Sequence, residues 1–239
     1  MQALSNPESR NYARIAGALY LTIAVSGGFA IAYVPEAINV ADDPAATLAN
    51  ISAMRGLFLA GIGGDVVMML SEVLITVMLF FMFRGVSPTL SGMAALARLS
   101  MVAVMSAMLF FSAAVFTLAT DASFLSGFTA PERASLAELF TYLDAVGVWI
   151  WQLFFALHLV LLGILILKSG AYPRLFGYGM TIGAIGYALD SLYAFALPEV
   201  TLLGLARIGL LAIVTLSEVG FALWLLLRGP RVSDKTAAA

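Results

Sequence analysis

Three apolar stretches each carry one ionisable residue near the middle and close on a cation: Glu72 to Arg84, His158 to Lys168, and Glu218 to Arg228. The spacing is twelve residues in the first and ten in the other two. At a helical rise of ~1.5 Å per residue, each ionisable group sits roughly 15 to 18 Å from its terminal cation, near the middle of a ~30 Å hydrocarbon layer. A central charge costs roughly 2.5 to 3.5 kcal/mol on insertion scales, so such groups turn toward a bundle interior. The pattern predicts an all-α polytopic transmembrane helical bundle with one shared polar layer.

Composition closes off the other classes. Of 239 residues, 62% are apolar and 11% charged, with a mean hydropathy of +1.01. Soluble domains carry about 25% charged residues, so the expected partner is the lipid bilayer. A net charge of -2 without a basic stripe argues against nucleic acid. The chain has no Cys, which excludes disulfides, thiolate metal sites and Cys nucleophiles. A single histidine, His158, excludes a site built from two or three imidazoles of one chain. Gly-rich phosphate loops and nucleophile elbows are absent.

Hydropathy and breakers divide the chain into a polar tail at 1–13, a single bundle at 14–228 and a second tail at 229–239. About six spans are predicted, at 14–34, 56–83, 94–119, 145–167, 175–197 and 203–227. The apolar run of the first span is too long for a signal peptide. From Pro35 the chain turns polar, and Asp43-Pro44 reads as an N-cap followed by Pro at the first helical turn, opening a short surface helix over 45–52. Thr129 and Glu132 have capping-box spacing. One helix from Ala130 to Lys168 would be about 58 Å long, too much for one crossing, so an interfacial helix to about Leu143 and a separate span from Ala145 are expected.

Cations decide the orientation. Arg10, Arg14, Arg84, Arg98, Lys168, Arg174, Arg228, Arg231 and Lys235 fall on the side of the termini, and Arg55, Arg133 and Arg207 on the other. By the positive-inside rule, nine against three puts both termini in the cytoplasm. Trp149 and Trp151 lie toward the outer interface and Trp224 toward the inner. Ser71-Glu72-Val73 and Ser217-Glu218-Val219 open similar half-spans ending in Arg-Gly, and Arg14 to Gly17 resembles Arg174 to Gly177. These matches run in the same direction, as parallel hairpin repeats would.

Helical spacing sorts the ionisable residues into layers. Glu72, His158 and Glu218 form the midplane layer. Asp65, seven residues before Glu72 and on its face, joins Asp190 and Arg207 above them; Asp144 and Arg55 sit at the outer rim. Arg98 and Arg55 are expected to snorkel. Three readings compete: binding or transport of a small ion, proton or polar solute, with His158 titrating near neutral pH; an intramembrane enzyme or metal site on Glu72, His158, Glu218 and a second-layer Asp; or a non-catalytic partner subunit whose polar groups only specify helix pairing. No cofactor is indicated. Gly177, Gly179, Gly183 and Gly186 on the fifth span read as close-packing positions.

Several motifs carry a resemblance: Arg14-Ile-Ala-Gly-Ala-Leu-Tyr20, Ala46-Thr-Leu-Ala-Asn50, His158 through Leu161-Leu-Gly163 to Lys168-Ser-Gly170, Gly186-Tyr-Ala-Leu-Asp190-Ser, and Glu218 through Leu223-Trp224-Leu-Leu to Arg228-Gly229. Together they resemble the bacterial domain of unknown function 4386 family, over nearly the whole chain from about Arg10 to Gly229. The resemblance implies a small multi-span membrane protein. Asp65 and Glu72 fit its pattern less clearly, which would centre the shared site on His158, Asp190 and Glu218.

Overall fold

The computed structural model describes residues 4–120 and 123–231, apart from the side chain of residue 124. Lys235, Asp121 and most of the tail at 229–239 lie outside the described residues. Those described form nine α-helices and no strand: α1 (Arg10–Gly27), α2 (Val34–Ile38), α3 (Pro44–Ala53), α4 (Arg55–Phe83), α5 (Pro88–Ala119), α6 (Ala130–Ser169), α7 (Arg174–Gly183), α8 (Ile185–Ala196) and α9 (Thr201–Leu227). A π-helical stretch, Gly28–Tyr33, joins α1 to α2. Five helical runs among the described residues are long and apolar enough to cross a membrane: Arg10–Ile38, Arg55–Phe83, Pro88–Ala119, Ala130–Ser169 and Thr201–Leu227. This is a multi-pass membrane protein with an all-α fold.

The chain divides into two compact units. Unit 1 holds the described residues of 1–22, 71–102 and 149–239; unit 2 holds 23–70 and 103–148. The long helices α4, α5 and α6 each contribute a segment to both.

In unit 2 the short helices obey their capping chemistry. Asp43 Oδ1 accepts the Ala46 N–H at 2.9 Å and Pro44 fills the first turn, so α3 starts where the Asp-Pro pair predicts. α3 is more than a surface helix. Its Ile51 joins Val34, Ile38, Val115, Leu118 and Ala137 in the apolar core of this unit, while Asn50 Nδ2 donates to the Ile38 carbonyl at 2.9 Å and closes the end of α2. The first span also runs past Pro35 to Ile38 instead of stopping before it. Proline removes the N–H of one helical turn and crowds the preceding carbonyl; the wider π turn immediately before it supplies the room.

Two further boundaries differ from the sequence reading. Residues 130–169 form one uninterrupted helix of 40 residues, about 60 Å long, where a break near 143–145 was expected. Within this helix no proline follows Pro131, and Gly147 alone does not break it: its missing Cβ leaves room for the Met108 side chain. Glu132 accepts from both Thr129 N and Oγ1 at 2.7 Å, so the Glu-to-backbone half of the predicted capping box opens this helix. The fifth span, by contrast, is divided at Ala184 into α7 and α8, of 10 and 12 residues.

Glycine explains that division. A Cβ at Gly183 would stand 2.7 Å from Val214 N and 2.9 Å from its Cα, and one at Gly186 would meet Leu210 and Leu211 at 2.8 Å. α7 and α8 therefore lie backbone to backbone against α9, as the small-residue spacing predicts. On its other side α7 meets α6, where a Cβ at Gly177 would stand 2.9 Å from the Gly163 carbonyl oxygen and one at Gly163 would stand 2.6 Å from that of Gly177. Gly17 plays the same part for α1 against Ala222 and Leu226 of α9. At the end of α9, Gly229 takes a left-handed φ of 73° and its N–H bonds the Trp224 carbonyl at 2.9 Å, while Arg10 Nη2 bonds the Leu227 carbonyl at 2.7 Å. A glycine C-cap and a cation thus satisfy the last carbonyls of this helix.

Candidate functional site

The polar layer of unit 1 is built around Arg98. α5 begins at Pro88, six residues before the expected span, with Ser87 as its cap: the Leu90 N–H reaches Ser87 Oγ at 3.4 Å. Arg98 therefore stands about 15 Å inside the helix, too deep to snorkel. It is 1% exposed. Its Nε donates to the Glu72 carboxylate of α4 in a buried ion pair. Its Nη1 donates to Tyr20 Oη of α1 at 3.1 Å and lies 2.8 Å from His158 Nε2 of α6. The faces of Tyr20 and Phe155 flank the guanidinium at 5.0 and 5.5 Å.

These contacts fix the state of His158. Guanidinium nitrogens only donate, so His158 Nε2 is an acceptor; its Nδ1, 2.9 Å from the Ala94 carbonyl, carries the proton. The ring is therefore a neutral imidazole with both nitrogens used, 1% exposed and stacked on Phe155 at 6.0 Å. In this arrangement a second ring proton would point at an N–H, so the geometry speaks for His158 as an acceptor rather than a proton carrier. The metal reading meets the same obstacle. Arg98 takes one carboxylate oxygen of Glu72 and Nε2 of His158, and no three His, Asp or Glu side chains among the described residues come together as a metal set.

Glu218 is the exception in this cluster. It lies on the inward stripe of α9, whose neighbours one and two turns away, Val214, Phe221, Ala222 and Leu225, are all at most 2% exposed. It keeps some accessible surface and makes no hydrogen bond or ion pair with the described residues. Its electrostatic neighbours are Arg98 and Glu72. One guanidinium thus faces two carboxylates, and Glu72 holds the direct bond.

Asp190 and Arg207 come together as expected. They form an ion pair between α8 and α9, with the Arg207 guanidinium 4.3 Å above the Tyr193 ring. Beside them Ser191 Oγ donates to the Trp149 carbonyl at 2.7 Å and lies 3.3 Å from the Gln152 side chain. Asp65 has a different setting: it belongs to unit 2, where its electrostatic neighbour is Asp144. Arg55, also of unit 2, lies 5.3 Å above the Phe116 ring.

Sequence reasoning missed Arg98, Tyr20 and Tyr187. A signal for Arg98 existed in Ser87-Pro88, the same cap-and-proline pair read correctly at Asp43-Pro44. Starting the helix there moves Arg98 from the rim to the interior. The two tyrosines had no comparable signal, since a tyrosine in an apolar helix serves equally at an interface or in a core.

A relative from Archaeoglobus fulgidus, described as an uncharacterised protein, is 28% identical over 171 residues, covering 72% of this chain and 85% of the relative. No solved structure matches the chain. The family described as domain of unknown function DUF4386 matches residues 15–229, a stretch that holds every helix of both units almost entire, and the chain belongs to that family.

Proposed function

We propose that the protein binds a proton or a small cation at the Arg98 cluster of unit 1 and moves it across the membrane. The observation that carries this reading is Glu218. With both carboxylates ionised, the cluster of Arg98, Glu72, Glu218 and a neutral His158 has one negative charge in excess. A proton or a monovalent cation cancels that charge, and Glu218 has free lone pairs to receive it. Packing requires no second carboxylate, since leucine at this depth would save roughly 3 kcal/mol. Asp190 and Arg207 form a second polar level on the same helices. The cations at the terminal end of unit 1 support a cytoplasmic-membrane orientation with both termini inside. α7 and α8 together serve as a sixth crossing.

The test is proton or cation flux in liposomes, with Glu218→Gln alongside the unmodified protein. Glu218→Gln keeps shape and removes the charge, so flux should fall at least tenfold while the protein still inserts and stays monodisperse. Unchanged flux in that variant refutes the assignment. A second reading, a non-catalytic subunit in which the cluster only specifies helix pairing, is favoured by the closed network of Glu72, Arg98, Tyr20 and His158. No flux from the unmodified protein, together with failed insertion of Glu218→Gln, would select it.

A further inference from the structure

We propose that the Arg98 cluster is reached by water from one end only, the end of unit 1 that carries Arg207, through Tyr187 and Glu218, and that aromatic side chains close the end toward the chain termini. The inference rests on reading the cluster as a binding site.

Side-chain directions place Tyr187 and Glu218 together. α8 and α9 are antiparallel, since Gly183 lies against Val214, Gly186 against Leu210 and Asp190 against Arg207. In a helix each Cα–Cβ bond leans toward the N-terminus. Tyr187 therefore leans back toward the level of Gly183, and Glu218 leans back toward Val214, so the two converge on one level from opposite directions. The charged groups near the Tyr187 phenol are Glu218, Arg98 and Glu72 on one side and Asp190 on the other. The Tyr187 ring is held against α6 by Phe155 at 5.2 Å and Trp151 at 6.3 Å, and its hydroxyl makes no hydrogen bond with the described residues. An unbonded phenol and an unbonded carboxylate facing each other are suited to a water or a hydrated proton between them.

The Arg207 end of this column is partly open: Tyr187 and Glu218 keep accessible surface, as do the residues above them. The side chains of Arg207 and Asp190 are 26% and 13% exposed, while those of Glu72 and Arg98 are 5% and 1%. Arg207 lies in the second turn of α9, about 16 Å above Glu218. Below Glu218 lies an aromatic layer. Phe221 is fully buried and meets Tyr20 at 6.2 Å, Tyr172 at 5.4 Å and Phe176 at 6.0 Å; Tyr172 meets Phe83 at 5.6 Å and Phe176 meets Trp224 at 6.2 Å. Burial pushes the Tyr172 phenol above its ordinary value, so this layer carries no charge. These tilted and edge-to-face rings lie within aromatic packing distance and offer few polar partners to a chain of waters.

The chain has no cysteine, so single thiols report on access without background. Tyr187→Cys, Glu218→Cys and Leu225→Cys would be reconstituted in liposomes with a tag on the C-terminus to mark sidedness. A membrane-impermeant methanethiosulfonate would then be added to either face. Tyr187→Cys and Glu218→Cys should react from the face opposite the tag at least tenfold faster than from the tag face, and Leu225→Cys, on the sealed side, should react from neither. Preferred reaction from the tag face, equal reaction from both, or none at Tyr187→Cys and Glu218→Cys in folded protein overturns the inference. Should Glu218→Cys fail to fold, a water-soluble carbodiimide applied to each face of the unmodified protein, with Glu218 modification read by peptide mass, gives the same answer. Labelling needs no flux. Sided labelling without proton or cation flux would therefore refute movement and leave access standing, and flux without sided labelling would do the reverse.

Discussion

Replacing Arg98 with methionine should be among the most damaging single changes in unit 1, and a partner change should undo most of the damage. Methionine fills much of the arginine volume and stays flexible, so the loss is largely electrostatic. The Glu72 carboxylate, 5% exposed, would remain buried without its ion pair, and Tyr20 Oη and His158 Nε2 would lose their donor. Breaking a buried pair from one side costs about 3 to 5 kcal/mol. At roughly 2 to 4 °C per kcal/mol for a chain of this size, Arg98→Met should lower Tm by on the order of 10 °C in detergent. Glu72→Met in the same chain removes the stranded charge, and the double variant should recover at least half of the loss, because an apolar pair of similar volume often replaces a buried ion pair at little cost. The assay is thermal unfolding of all four proteins of the cycle in one detergent, with reversible denaturant unfolding as a check. A drop below about 1 kcal/mol for Arg98→Met, or a double variant no better than the single, would refute the buried pair as described.

The glycine contacts predict a steep contrast. Gly183→Ala drives a methyl into the Val214 backbone and should cost about 1 to 3 kcal/mol, whereas Gly209→Ala, with nothing within 4 Å, should cost nothing or add up to about 1 kcal/mol of helix propensity; unfolding midpoints compare them. Asp43→Ala removes the cap of α3 and should cost about 1 kcal/mol, read as faster hydrogen exchange over residues 44–53. Glu199→Gln, at an exposed position between α8 and α9, should leave both stability and any flux unchanged; a loss of flux there as large as that of Glu218→Gln would remove the case for a specific carboxylate.

The hairpin symmetry in the sequence has a physical counterpart in part. Gly17 and Gly177, which follow similar openings, are both points where a helix backbone touches another helix, on α9 and α6 respectively. Glu72 and Glu218, each preceded by a serine, diverge: Glu72 is ion-paired, and Glu218 has no ion pair among the described residues. Similar sequence positions take different roles when the one nearby cation bonds only one of them.

Local chemistry was legible in the chain. Apolar length gave the long helices, Asp43-Pro44 and Thr129 with Glu132 gave two helix starts, and the glycine spacing gave the close approach of α7 and α8 to α9. Each of these depends on residues within a few positions of one another or on a periodicity. The partners of the buried charges were not legible. Glu72 bonds a residue 26 positions away, and the contacts of Arg98 with His158 and Tyr20 span 60 and 78 positions. Depth along a span can be counted from sequence, but rotation and tilt of one helix against another arise from packing, and those decide which of several equally deep groups meet. Counting along the chain is therefore enough to reveal a costly polar layer in an apolar bundle. Packing places Arg98 at its centre, makes His158 a neutral acceptor, and leaves Glu218 as the carboxylate with no bonded partner among the described residues.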